Sequence, residues 1–177
     1  MKFDPNINNR HSVRLNGYDY AQAGGYYVTI VTQGRECLFG QIHNAEMILN
    51  DTGKMAAKWW NDLPNKFPSV TVDAFVVMPN HFHGILVLAD EQRPASGGEG
   101  KYGKPVTGSV GVIAGQFKAA VTKRINHVRD TPTAQVWQRN FFERIIRTED
   151  ELNLTRHYIE GNPAHWLEDP NYRPDFH

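Results

Sequence analysis

Cysteine is nearly missing. Cys37 stands alone among 177 residues, so no disulfide can form within the chain. That suits a reducing compartment, and the cytoplasm is the expected location. Net charge is missing too: 19 basic residues balance 19 acidic ones. There is no global signal for nucleic acid, although overall balance leaves room for a local patch. No apolar run approaches the ~20 residues that cross a bilayer, so no membrane partner is expected. The opening stretch "MKFDPNINNRHSVRL" lacks the apolar centre of a secretory signal, and no internal repeat is visible.

What is present predicts one domain over 1–177, long enough to bury a core. Residues 1–25 read as a polar arm, 95–111 as a Gly-rich flexible loop and 164–177 as a short tail. "YYVTIVT" from Tyr26 is β-branched and aromatic, hence a strand, and "CLFGQI" is a short second piece. Asn50 to Phe67 reads as a helix capped by Asn50 or Asp51, with Met55, Trp59 and Leu63 inward and Pro64 and Pro68 marking its end. "SVTVDAFVVM" and the run from His81 to Leu88 are strands. Val110 to Val128 is a helix with Val112, Phe117, Val121 and Ile125 inward. "FFERIIR" is a further strand. The last helix starts at a Thr148 cap with Glu151 three residues on, and Pro163 stops it.

This order, β-α-β-β-α-β-α, predicts an α+β fold: a ferredoxin-like split βαβ antiparallel sheet with one additional C-terminal helix. Two crossover helices cover one face of the sheet. The last helix is left to cover the other.

The strand "HFHGILVL" carries two histidines with one residue between them. Alternation sends His81 and His83 to the same face, with Ile85 and Val87 beyond them. Two imidazoles on one face can hold a cation. They can equally be core residues whose nitrogens are satisfied, although burying two without partners is costly. The last helix offers Tyr158 and Asn162, four apart and so on one helix face. A phenol there can attack a bound group or simply pack with its hydroxyl wet. Asn162 can give an amide oxygen to a metal or cap the helix ahead of Pro163. His157 and Glu160 do not share the face of Tyr158 and are poor candidates for its base.

The blocks "GYYVTIVTQGRECLFG", "FVVMPNHFHGILVL", "VGVIAGQFKAAVTKRIN" and "VWQRNFFERIIRTEDELNLTRHYIEGNP" together resemble the IS200-type single-tyrosine transposases. They are most similar to the branch associated with repetitive extragenic palindromes. The likeness runs from about residue 16 to Pro163. It implies a ferredoxin-like fold, a divalent metal on His81 and His83, and Tyr158 as nucleophile. It also implies Asn162 as third ligand, where insertion-sequence members often have Gln. Mg²⁺ or Mn²⁺ is the implied ion, and single-stranded DNA hairpins are the implied partner. The acting form would be a monomer or a homodimer.

The implied reaction is cleavage and rejoining of single-stranded DNA through a 5′-phosphotyrosine, with a free 3′-hydroxyl as the other product. A cation would neutralise charge at the phosphate, and the phosphotyrosine would keep the bond energy for rejoining. The alternative is a domesticated hairpin-binding protein of the same fold without transposition activity. A replication or relaxation nickase usually places its motif and tyrosine differently. A histidine-triad hydrolase would want a third histidine where Ile85 stands.

For DNA, residues 101–147 hold a local excess of seven positive charges. Lys118, Lys123, Arg124, Arg139 and Arg144 are the candidate phosphate contacts there, with Arg14 in the arm able to reach a groove. Singly, each of these also fits an ordinary solvated face. Trp137 or Phe141 could stack on an unpaired base, though Phe141 also suits the core.

Overall fold

The computed structural model of the chain describes residues 22–89 and 108–173. Most of the expected arm and of the Gly-rich loop lies outside them, as does Arg14. Strand β1 is Gly24–Val31. Strands β2, Gly40–His43, and β3, Glu46–Leu49, form a separate two-stranded hairpin. The sequence reading had only a short piece here. The turn residues Asn44 and Ala45 both have positive φ, 50° and 63°. Such a turn usually announces itself as Asn-Gly, and alanine hides it.

Helix α1 is Asp51–Asn61, capped by the Asn50 side chain, which accepts from Gly53 N at 2.9 Å. A short α2, Leu63–Lys66, follows, so the expected single helix is two. Leu63 of the expected inward stripe is buried and Met55 and Trp59 pack half-buried against the core, but the fully buried residues of α1 are Gly53, Ala56 and Trp60. The small residues decide this. A Cβ on Gly53 would lie 2.2 Å from the Phe39 carbonyl oxygen, so only the face without side chains can press in. Trp59 stays at the rim with the Lys66 ammonium 4.2 Å from its ring centroid.

Strands β4, Val70–Val77, and β5, His81–Leu88, lead to helix α3, Val110–Arg129. Ser109 caps α3, and Ile113 rather than Val112 completes its buried face with Phe117, Val121 and Ile125. Strand β6, Phe142–Ile146, and helix α4, Glu149–Gly161, close the order. The capping signature of α4 is real: Thr148 Oγ1 accepts from Glu151 N at 3.1 Å. The Glu151 carboxylate reaches back to Arg147 N at 2.8 Å.

The main sheet runs β4-β5-β1-β6 with every neighbouring pair antiparallel. This is the expected split βαβ arrangement, enlarged by the β2–β3 hairpin. Tyr26, Val28, Ile30, Phe82 and Leu86 face α1 and α3 and form the larger core with Trp60 and Phe117. Gly84 lies on that face because the Trp60 indole fills the space; a Cβ there would sit 2.5 Å from it. The other face carries a smaller cluster: Tyr27, Ile85 and Ile146 under Ile159 of α4, with Leu152 packed beside them.

Candidate active site

Register decides which side chains meet. Thr29 pairs with His83 and Tyr27 with Ile85, so β1 adds two hydroxyls to the face that carries both imidazoles. His81 and His83 are buried, and their Nε2 atoms face each other at 3.0 Å. Burial drives both to a pKa of about 3; the Arg35 charge adds to the effect on His81, and His81 itself to that on His83. Both rings are therefore neutral at neutral pH, and each has one nitrogen lone pair.

Asn80 fixes where that lone pair lies on His81. The Asn80 amide nitrogen donates to the Arg35 carbonyl at 3.1 Å and to the Asn171 carbonyl at 2.8 Å. Its Oδ1, 2.8 Å from His81 Nδ1, can only accept. His81 Nδ1 thus holds the hydrogen and Nε2 the lone pair. His83 Nδ1 meets the hydroxyls of Tyr27 at 2.6 Å and Thr29 at 2.8 Å. With either oxygen accepting from Nδ1, the His83 lone pair also sits on Nε2. Outer hydrogen bonds of this kind orient metal-binding histidines.

Asp169 Oδ2 lies 3.6 Å from His81 Nε2. Because His81 is neutral, this is no ion pair. The ligand atoms of His81, His83 and Asp169 fall within 4.8 Å of one another. Asn162 Oδ1 is buried and has no hydrogen-bond partner among the described residues. A buried amide oxygen without a partner is costly unless something outside the chain satisfies it. Two facing imidazoles and a carboxylate within 4.8 Å of one another form a donor set that fits a divalent cation.

Helix α4 brings the phenol. With Ile159 and Leu152 pinned to the sheet, Tyr158 turns its ring to within 5.5 Å of the His83 ring and 6.3 Å of the Tyr27 ring. It is 48% exposed and so accessible from outside. Burial first, then the Asp169 charge, raise its pKa, while hydrogen bonding with Asn162 and Tyr27 pulls the other way. Tyr27 is pushed up further, chiefly by its own burial. Asn162 is also the C-cap of α4, its N–H reaching the Ile159 carbonyl. It opens a 3₁₀ turn, Asn162–Glu168, that lays Trp166 near the His81 ring and leads to Asp169. His157 points elsewhere, its Nδ1 2.7 Å from the Asn153 carbonyl.

The structure thus brings His81, His83 and Tyr158 together, with Asn162 beside Tyr158. Among the described basic candidates only Arg144 stands beside them. Its guanidinium lies 5.8 Å from the Tyr27 ring centroid and donates to Thr155 Oγ1 at 3.1 Å. Lys118 is engaged inside the protein, donating to the carbonyls of Gln138 at 2.7 Å and Arg139 at 3.1 Å. Lys123 and Arg124 are exposed on α3, which packs on the opposite face of the sheet, and Arg139 is exposed in the loop before β6. Trp137 is buried against Phe39 and Phe117, so it offers no ring to a base. Sequence reasoning missed Asn80, Tyr27, Thr29 and Asp169. The first three had a signal: Asn80 precedes the motif, and Tyr27 and Thr29 alternate on a strand.

Comparison with known proteins adds three findings. No family model matches the chain. It is 36% identical, over 183 residues and 97% of each chain, to an uncharacterized protein of Haemophilus influenzae (strain ATCC 51907 / DSM 11121 / KW20 / Rd). Among solved structures it resembles a REP-associated tyrosine transposase bound to a REP hairpin, at 19% identity and a TM-score of 0.53, covering 86% of this chain and 73% of that one. The fold is therefore one that a tyrosine transposase carries.

Proposed function

We propose that this chain, which belongs to the same family as the uncharacterized Haemophilus influenzae protein, cleaves and rejoins single-stranded DNA beside a hairpin through a covalent bond to Tyr158. The observation that carries this reading is the half-exposed phenol 5.5 Å from the His83 ring of its own chain. The solved structure of similar fold is bound to a REP hairpin, which supports a hairpin as partner.

In the proposed step Tyr158 Oη bonds to phosphorus and the bond to the 3′ oxygen breaks. The phenolic proton ends on the departing 3′-hydroxyl. A second 3′-hydroxyl reverses the step, which conserves the phosphodiester. Mg²⁺ or Mn²⁺ on His81 and His83, with Asn162, Asp169 or both, would neutralise charge at the phosphate when bound. Asn80 holds His81 in the tautomer that such binding needs, and Tyr27 and Thr29 anchor the Nδ1 side of His83. Among the described candidates from the basic stretch, Arg144 is best placed to meet the DNA backbone. One chain supplies every group named, which favours action as a monomer.

The test is incubation with a pool of labelled hairpins bearing single-stranded flanks, with Mn²⁺. A product that survives denaturation should form, and peptide mapping should place the nucleotide on Tyr158. Hairpin binding with no adduct would overturn the enzyme reading and leave a binding protein.

A bidentate pair holds the nucleophile helix in place. Arg156 Nε and Nη2 donate to the two Asp73 oxygens at 2.8 and 2.6 Å. Asp73 stands at a bulge in β4, where the register slips between Val72 and Phe75. The extra residue lets Asp73 reach α4 although Ala74 already faces it. Arg144 and Thr155 tie the same helix to the other edge strand. Arg156→Ala is expected to slow adduct formation roughly tenfold through misplacement of Tyr158. Hairpin affinity should hold, and the swap D73R/R156D should recover part of the rate. The Arg156 hydrogen bonds hold Asp73 below the usual carboxylate range. The tether is therefore complete above pH ~4 and is lost only as pH falls through that depressed value.

A further inference from the structure

Arg35 sits in the 3₁₀ turn Gln33–Arg35 that follows β1. It takes a left-handed backbone, φ 60°, directly after Gly34 at φ 65°. Left-handed geometry suits glycine and is unfavourable for an arginine, so the fold holds this side chain there at a cost. The turn is bound to the site. Thr32 N donates to the Asn80 carbonyl at 2.9 Å, and the Arg35 carbonyl accepts from the same Asn80 amide that orients His81.

Arg35 Nε is buried and has no hydrogen-bond partner among the described residues. Glu36, the adjacent acid, is taken by Arg129 at 2.9 Å. Asp169 is turned to His81. A half-buried cation with a spare N–H, in a strained turn beside the histidine pair, is built to receive an anion.

We propose that Arg35 is a phosphate-binding residue, gripping a DNA backbone phosphate at or next to the one offered to Tyr158, on the His81 side of the site. This rests on the DNA reading above. Among the described residues it makes Arg35 and Arg144 the two basic groups near the reacting phosphate, one in the turn after β1 and one on β6, although the sequence drew attention only to the second.

The experiment uses the full chain with Tyr158→Phe, which cannot cleave, in buffer with EDTA, so no loaded metal enters the readout. A hairpin that the chain binds is made with one neutral methylphosphonate linkage at a time across its flank. Arg35→Gln should weaken binding roughly tenfold and lower the slope of log K against log salt by about 0.7. One linkage should weaken binding to the Arg35 chain yet cost the Arg35→Gln chain nothing more. Arg35→Gly should bind as poorly as Arg35→Gln without lowering the melting temperature, since glycine relieves the left-handed turn. Substitutions that leave affinity and salt slope intact overturn the inference alone, as does a methylphosphonate scan identical for both chains. A drop in melting temperature for Arg35→Gly with DNA binding intact would make Arg35 structural. A chain that binds no DNA before any change at Arg35 overturns the DNA reading and this inference together.

Discussion

Tyr158→Phe abolishes the covalent product and leaves hairpin binding and the fold in place. The substitution deletes one oxygen from a side chain that is about half exposed, and the ring keeps its edge contacts with His83 and Tyr27. The stability cost is the hydroxyl's polar interaction with Asn162 and Tyr27, at most about 0.5–1.5 kcal/mol, and less given the exposure. The kinetic loss is of another order, because removing a nucleophile costs on the order of 10⁶ in rate. Burial and Asp169 keep the phenol protonated well past neutrality, so its nucleophilicity has to be raised by the phosphate site beside it. Denaturing gels of labelled hairpin and a melting curve are the two measurements. Covalent product from the Tyr158→Phe chain at more than a trace would remove Tyr158 from the role and turn attention to the other phenols.

The sequence carried much of this, and the places where it failed are instructive. His81–Leu88 was legible residue for residue because a strand buried on both faces shows itself as a continuous apolar run. Thr148 and Glu151 announced the start of α4 because a capping box is local chemistry. The β4 bulge was not legible: nothing in "VTVDAFVV" says where an extra residue enters, and its consequence is a contact with Arg156, far along the chain. In helix α1 the bulky Met55 and Trp59 only edge the core while their smaller neighbours sit deepest. Gly53 and Ala56 are inner because they are small, and only the position of Phe39 reveals that. Asp169 is a different failure. It lies beyond α4 after a 3₁₀ turn, with no periodicity linking it to His81, and the turn alone brings it there. Asn162, in contrast, is both a cap and part of the site's surroundings, so the two readings of that residue were never in competition.

His83→Ala and His81→Ala should each lower cleavage by roughly 10²–10³ and weaken Mn²⁺ binding, with hairpin affinity in EDTA held within about twofold. The converging Nε2 atoms, 3.0 Å apart, act as a unit. Loss of either leaves one lone pair that cannot hold the ion alone, so the double substitution should be little worse than either single one. A core role for the histidines makes the opposite forecast. Truncating a buried ring opens a cavity and strands its partners, here the Tyr27 and Thr29 hydroxyls for His83 and the Asn80 amide oxygen for His81. Stability, cleavage and hairpin binding would then fall together. Mn²⁺ titration followed by electron paramagnetic resonance separates the cases without any turnover. The same titration applied to Asn162→Ala and Asp169→Ala decides which oxygen completes the site. Asn162 Oδ1 has the orphaned acceptor and Asp169 the formal charge, and a hard dication favours charged oxygen. Unchanged Mn²⁺ affinity in all four variants would leave the paired imidazoles without a metal and return them to the core.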